Sequence, residues 1–313
     1  MLPDDILLDI FDFYRIDSFH YPWIWLPLVH VCRRWRQIVF ASLCRLDLQF
    51  LCNPRTRVRE LLDLLPPAMP IMVCNCCSPQ TQQYPTPSAD EDGSQVITAL
   101  EQRERVWWIH LQDMSSSLLE TIVKTMQETF PTLKQLRLSV DDEIAPVLPE
   151  EFLGGSAPSL ETLWLRGISF SELPKLLLTM NGLVQLRLER IPDSGYMSPE
   201  AMVTALSTCA KLELLIVELE PGDPHPDLTS EGITSISRVF LPALTFFSFT
   251  GNGIYFNNFV PRIESPSLRL NDHILHDTNI TVNRDVFYEV YLTSSGISLR
   301  YHCQLTNLVP VED

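Results

Sequence analysis

The sequence predicts an α/β protein: a small N-terminal helical module followed by a solenoid of stacked strand–helix units. Three observations carry this expectation. Two amphipathic helical patterns fill residues 1–45, a short apolar phrase recurs from residue 43 onward, and helical patterns occupy several gaps between its copies. Strands that alternate with helices call for layers of the α/β kind.

The first helical pattern opens at Leu2-Pro3-Asp4-Asp5. Proline suits a first helical position, where its missing N–H has no partner to lose, and the two aspartates place negative charge where the helix dipole favours it. Leu2, Ile6, Leu7, Ile10, Phe11 and Tyr14 then fall on one helical face. The second pattern puts Leu28, Val31, Cys32, Trp35, Ile38 and Val39 on one stripe, with Arg33, Arg34 and Arg36 off it. So short a segment buries too little surface to fold unaided. Another surface has to cover it.

These residues resemble the F-box. The opening Leu-Pro-x-x-Ile-Leu-x-x-Ile-Phe and the later Leu-Val-x-Val-Cys-Arg-Arg-Trp-Arg stand in the order and spacing of that motif across residues 2–45, most like the expanded fungal families in which divergent leucine-rich repeats follow the box. The resemblance implies docking on the Skp adaptor of an SCF (Skp–cullin–F-box) ubiquitin ligase, with the downstream domain holding a protein substrate. It implies adaptor contacts at Leu2, Pro3, Ile6, Leu7 and Ile10 from the opening, and at Leu28, Val31, Cys32 and Trp35 from the second half. Phe11 and Trp35 are the expected aromatic anchors. One departure is the Asp17–Leu26 insert, whose Tyr21-Pro22-Trp23-Ile24-Trp25 is bulkier than the usual inter-helix loop. A helical hairpin docked on its own repeats would show the same apolar faces; the ordered Leu-Pro and Cys-Arg-Arg-Trp combination favours the F-box.

The recurrent phrase is apolar-x-x-apolar-x-apolar. It begins at Leu43, Val106, Leu133, Leu160, Leu183, Leu212 and Leu244, with a weaker copy at Leu268; from Val106 the starts are 27, 27, 23, 29 and 32 residues apart. Units of this size cannot close a core singly and must stack. The last two apolar positions alternate, as a strand with one inward face requires. Helices are expected over Ser115–Phe130, from Ser198-Pro199 to about Cys209, and from Thr229. Strand–helix alternation with repeating leucines resembles a leucine-rich-repeat horseshoe, though its usual Asn is present only at Asn252.

The expected domains are therefore residues 1–45, the F-box, and residues 46–313, an irregular leucine-rich-repeat-like domain. Within the second, residues 78–95 are polar and proline-rich and read as a mobile loop. Met69–Val73 before it offers a further strand. Residues 267–313 read as a C-terminal cap, in which Val286–Tyr291 and Ile297–Tyr301 alternate as strands do.

The composition, 45% hydrophobic and 20% charged, is globular. The net charge of −16 is uneven: residues 1–60 hold eight arginines and seven acidic residues, so the remainder carries −17. That excludes a broad basic surface for nucleic acid. No apolar run approaches the roughly 18 residues that span a bilayer, and the start lacks the basic-then-apolar order of a signal peptide. Cytoplasmic or nuclear residence is expected, with no membrane partner and with reduced cysteines.

In each strand phrase the residues between the leucines face outward and align in columns when units stack. One column holds His110, Arg137, Trp164, Arg187, Ile216 and Ser248; beside it run Trp108, Gln135, Thr162, Gln185, Leu214 and Phe246. An aromatic between two arginines is hot-spot chemistry, and guanidinium forks suit carboxylate or phosphate groups. Trp108, His110, Arg137, Trp164 and Arg187 are thus the expected substrate-binding residues, for an acidic or phosphorylated segment of a target.

Catalytic signatures are wanting: the sequence has no phosphate loop, nucleophile elbow or His-Glu-x-x-His. Cys74-Asn-Cys76-Cys77 has only half of a zinc pattern, and His273 and His276 between Asp272 and Asp277 lack placeable further ligands. The expectation is a non-enzymatic protein without cofactor or metal: the substrate-recognition subunit of an SCF ubiquitin ligase. The alternatives are a repeat scaffold whose box has become a plain cap, or a sensor whose groove binds a small molecule.

Overall fold

A computed structural model describes residues 2–14, 25–75, 93–142, 144–220 and 237–267, and the backbone of 286–293 and 296–303. The chain is mixed α/β with mostly parallel strands and divides into two compact units, one of residues 1–112 with 130–135 and one of residues 113–129 with 136–313.

In the first unit, α1 (Asp4–Tyr14), α2 (Leu26–Val31) and α3 (Arg33–Ala41) form the N-terminal module. Asp4 and Asp5 occupy the first turn of α1, and Pro27 lies at the start of α2. Cys32 separates α2 from α3 in extended conformation, its Sγ accepting from the Trp35 N–H. The sequence placed the apolar residues of α1 on one face. Folding divides that arc: Leu7 and Phe11 point inward and are buried, while Leu2, Ile6 and Ile10 remain exposed.

Three parallel strands follow in spatial order, β1 (Phe50–Cys52), β2 (Ile71–Cys74) and β3 (Val106–Leu111), accompanied by α4 (Val58–Leu62) and α5 (Ser94–Leu100). β2 realises the strand expected at Met69–Val73. The Leu43-x-x-Leu46-x-Leu48 copy instead forms turns ahead of β1; Leu46 and Leu48 are buried there without being strand residues. The end of the expected loop is also revised, because Ser94 and Gln95 begin α5 behind a left-handed Gly93. The rest of that loop, residues 78–92, lies outside the described residues.

The second unit contains α6 (Ser116–Val123), β4 (Gln135–Ser139) from Leu136 on, β5 (Thr162–Arg166), α7 (Leu173–Leu177), β6 (Gln185–Ile191), α8 (Pro199–Leu206) and β7 (Leu214–Leu219). It continues with β8 (Val239–Phe240), β9 (Phe246–Asn252), α9 (Gly253–Phe259), β10 (Ile263–Glu264), β11 (Val286–Thr293) and β12 (Gly296–Cys303). Its sheet runs β4-β5-β6-β7-β9-β11-β12; β5, β6, β7 and β9 are parallel, and β11 and β12 add antiparallel. β8 and β10 form a separate parallel pair.

Every phrase from Leu133 to Leu244 meets its strand two residues after its start, with the first leucine buried at the turn and the next two apolar residues buried from the strand. Ser198 caps α8 by accepting from the Ala201 N–H, as the Ser-Pro-Glu opening predicted. α6 is shorter than expected and stops near Val123. Asn252, the one residue in the expected asparagine slot, caps α9 by accepting from the Ile254 N–H. The helix expected from Thr229 and the copy at Leu268 fall outside the described residues. The alternation over Val286–Tyr291 and Ile297–Tyr301 does produce strands, β11 and β12.

Candidate functional site

The N-terminal module presents the first candidate surface. Leu2, Ile6, Ile10 and Phe13 recur at helical spacing and are 52%, 44%, 46% and 76% exposed; Leu26 and Val31 of α2 are 38% and 58% exposed. This is the outward half of the α1 arc. The inward half is fixed: Phe11 meets Trp35 edge to face, with ring centres 4.8 Å apart, and Trp25 packs near Phe40 while its Nε1 donates to the Gln49 carbonyl at 3.1 Å. Arg34 pairs with Asp4 and also donates to the Leu2 carbonyl at 2.6 Å, bracing the start of α1 against α3. Arg45 bonds Asp9 at 2.6 Å and Asp12 at 3.3 Å. These ion pairs, being exposed, orient more than they stabilise.

Of the ten residues expected on this surface, Leu2, Pro3, Ile6, Ile10, Val31 and Cys32 are exposed and Trp35 is half-buried. Leu7, Phe11 and Leu28 are inside the module and support the surface rather than form it. Phe13 and Leu26 belong to it and were missed. The signal was available for Phe13, which stands three residues after Ile10 on the same helical face.

The expected substrate residues fall into both units. In the first, Trp108 packs with Trp107 against a core of Leu51, Met72 and Cys74. His110, expected on an open face, is 9% exposed, and its ring centre lies 5.7 Å from that of Trp108. Both faces of β1 and β2 are apolar (Leu51 and Met72 on one, Phe50 and Ile71 on the other), so burial on both sides is what this stretch encodes. The indole Nε1 atoms of Trp107 and Trp108 are buried and have no hydrogen-bond partner among the described residues.

In the second unit the columns appear as predicted. Trp164 pairs in register with Arg187, Arg187 with Ile216 and Ile216 with Ser248; one tier below run Thr162, Gln185, Leu214 and Phe246. Arg137 of β4 and Arg187 of β6 each place the guanidinium carbon 5.8 Å from the centre of the Trp164 ring between them. Such contacts contribute about 0.5–2 kcal/mol each, and they hold the long side chains in place. All three residues are half-buried. Among the described residues neither Arg137 nor Arg187 has an acidic partner. Thr162 and Ser248 are buried at the margins.

One tier above, the arginines have acidic partners. Asp141 accepts Arg166 at 3.5 Å and Arg190 at 2.6 Å, and Arg190 reaches Glu220 at 3.8 Å. Glu218 lies in this network; burial, then the neighbouring Glu189 carboxylate, push its carboxyl up, while Arg166 and Arg190 pull it down. Sequence reasoning did not single out this network, because Asp141 and Arg190 come together only through the sheet.

Elsewhere, burial pushes the Cys52 thiol up to about 12 in spite of Arg105. Among the described residues no three His, Cys, Asp or Glu are grouped to hold a metal, and no helix is long and apolar enough to cross a membrane. Cys76, Cys77, His273 and His276 lie outside the described residues. Comparison with protein-family models, with curated proteins and with solved structures gives no match.

Proposed function

We propose that the chain is the substrate-recognition subunit of an SCF ubiquitin ligase, with residues 1–45 acting as an F-box and the strands beyond as an irregular leucine-rich-repeat-like domain. One observation carries the reading. The N-terminal module is anchored on one side by Phe11, Trp25 and Trp35 and leaves Leu2, Ile6, Ile10 and Phe13 in solvent on the other. Exposed apolar side chains in a row on one helix cost solubility and mark an interaction surface. A stable complex buries about 1,600 Å² in total, which a short helical module reaches with a matching apolar groove. The ordered Leu-Pro and Cys-Arg-Arg-Trp residues point to the Skp adaptor as owner of that groove, with the cullin core reached through it.

In this reading the Arg137–Trp164–Arg187 face of the second unit holds the target, and the ligase core supplies the chemistry. The half-buried Trp164, clasped by two arginines that have no acidic partner among the described residues, supports the face as a binding site.

The test is co-purification of the full chain with a Skp adaptor, compared with Ile6→Asp/Ile10→Asp and Leu2→Ala/Pro3→Ala variants. Both variants are expected to lose adaptor while keeping the circular dichroism of the parent. Adaptor capture unaffected by charges placed in the row would overturn the reading. Capture of no adaptor by the parent would leave the scaffold alternative.

A further inference from the structure

The sheet face of the second unit has a gradient across its strands as well as a charge at its centre. Over β4 to β6 it shows Arg137, Trp164 and Arg187; over β7 and β9 it shows Leu214, Ile216 and Phe246, all half-buried. We propose that this face binds an extended segment of a partner protein in which a carboxylate side chain is followed, four residues on, by an aliphatic or aromatic one. The proposal deepens the target-binding reading above and rests on it.

The charge argument is local. In a chain of net charge −16, the arginines of the next tier, Arg166 and Arg190, share Asp141, and Arg190 also reaches Glu220. Arg137 and Arg187 have no such partner among the described residues, and each lies against the same indole. Two immobilised guanidiniums lose little freedom on taking an oxyanion, and their forks match a carboxylate.

Spacing follows from the sheet. Neighbouring strands are about 4.8 Å apart and an extended chain rises about 3.3 Å per residue. From Trp164 on β5, the apolar patch of β7 and β9 is two to three strands away, or about 10–14 Å. An extended segment covers that in three to four residues, and because its side chains alternate, the fourth is the one that faces the sheet again. Among the described residues a second acidic group at that point would find no cation.

The face also selects between anions. Glu189 follows Arg187 by two residues on β6, and Glu218 follows Ile216, the register partner of Arg187, by two residues on β7. Their carboxylates are close enough to each other that Glu189 helps push the Glu218 carboxyl up. A phosphate brings a second negative charge into that field, and a carboxylate does not.

The experiment measures peptide binding to the full chain by fluorescence anisotropy. Labelled nine-residue peptides carry one Asp and one Leu, with the separation stepped from one residue to six, in a Ser/Gly background. Affinity is expected to peak at a separation of four and to fall at least tenfold when Asp becomes Lys or Leu becomes Ser. Arg137→Ala or Arg187→Ala should remove that preference, and Arg187→Lys, which keeps the charge and loses the fork, should restore only part of it. A flat profile across the separations would overturn the proposal even if no arginine variant folds. Tighter binding of a phosphoserine peptide than of its Asp counterpart would overturn the choice of a monoanion. Peptide binding is read without adaptor, so its loss and a failure of adaptor capture are separate results.

Discussion

Phe11 and Trp35 meet edge to face, their ring planes at 62° and their centres 4.8 Å apart, and this contact divides the N-terminal module into an inside and an outside. It uses up one half of the α1 apolar arc and leaves the Ile6–Ile10 half without cover. Phe11→Ala should therefore behave as a core truncation, costing about 3–5 kcal/mol, whereas Ile6→Asp should stay within about 0.5 kcal/mol of the parent. Amide hydrogen exchange over α1 and α3 distinguishes them: protection should collapse for Phe11→Ala and persist for Ile6→Asp. Equal loss in both would mean that the outer row also belongs to the core.

Sequence periodicity carried most of the strand positions, because a buried leucine at the turn and two alternating leucines on the strand are local requirements. It could not divide the α1 arc. Leu7 and Ile6 are equally apolar, and which of them is covered depends on how α1 packs in the folded module. Trp164, Arg137 and Arg187 were legible as a column because their strands repeat with the same phrase. His110 looked alike in sequence but is buried, since Leu51, Met72 and Cys74 make that side of the sheet apolar in the first unit. The Leu43 copy failed for a different reason: Asp47 takes a positive φ of 47°, and the chain turns through the phrase instead of extending.

Tyr255 in α9 donates from its hydroxyl to the Met197 carbonyl at 2.9 Å, a buried bond across 58 residues. Its ring also stacks on Phe249. Tyr255→Phe keeps the ring and strands the carbonyl, so a loss of about 1–2 kcal/mol is expected. Denaturant unfolding followed by tyrosine-independent far-ultraviolet dichroism measures it. No change would show that the Met197 carbonyl finds another donor.

The cysteines should differ sharply in reactivity. Cys32 and Cys44 are exposed, whereas Cys52, Cys74 and Cys209 are buried, with burial pushing the Cys52 thiol up to about 12 and raising that of Cys209 as well. The thiolate is the reacting form. Brief maleimide treatment at neutral pH followed by peptide mass spectrometry should modify Cys32 and Cys44 and spare the other three until denaturant is added. Early labelling of Cys52 would contradict the packing of β1.

Glu218 gives the face a pH dependence whose sign is fixed by its surroundings. Burial and Glu189 hold its folded-state carboxyl above the ordinary value, so between the unfolded and folded values the native chain binds more protons than the unfolded one. Stability from this group is then present at low pH and is lost as pH rises through the raised folded-state value. Glu218→Gln removes that loss. The variant should gain melting temperature relative to the parent as pH increases from about 4 to 7, the range above an ordinary glutamate, and the gain should level off once Glu218 is ionised in both states. A parent that instead gains on the variant over this range would mean that the Arg166 and Arg190 attractions outweigh burial, and that the upper tier is not an anion-repelling field at all.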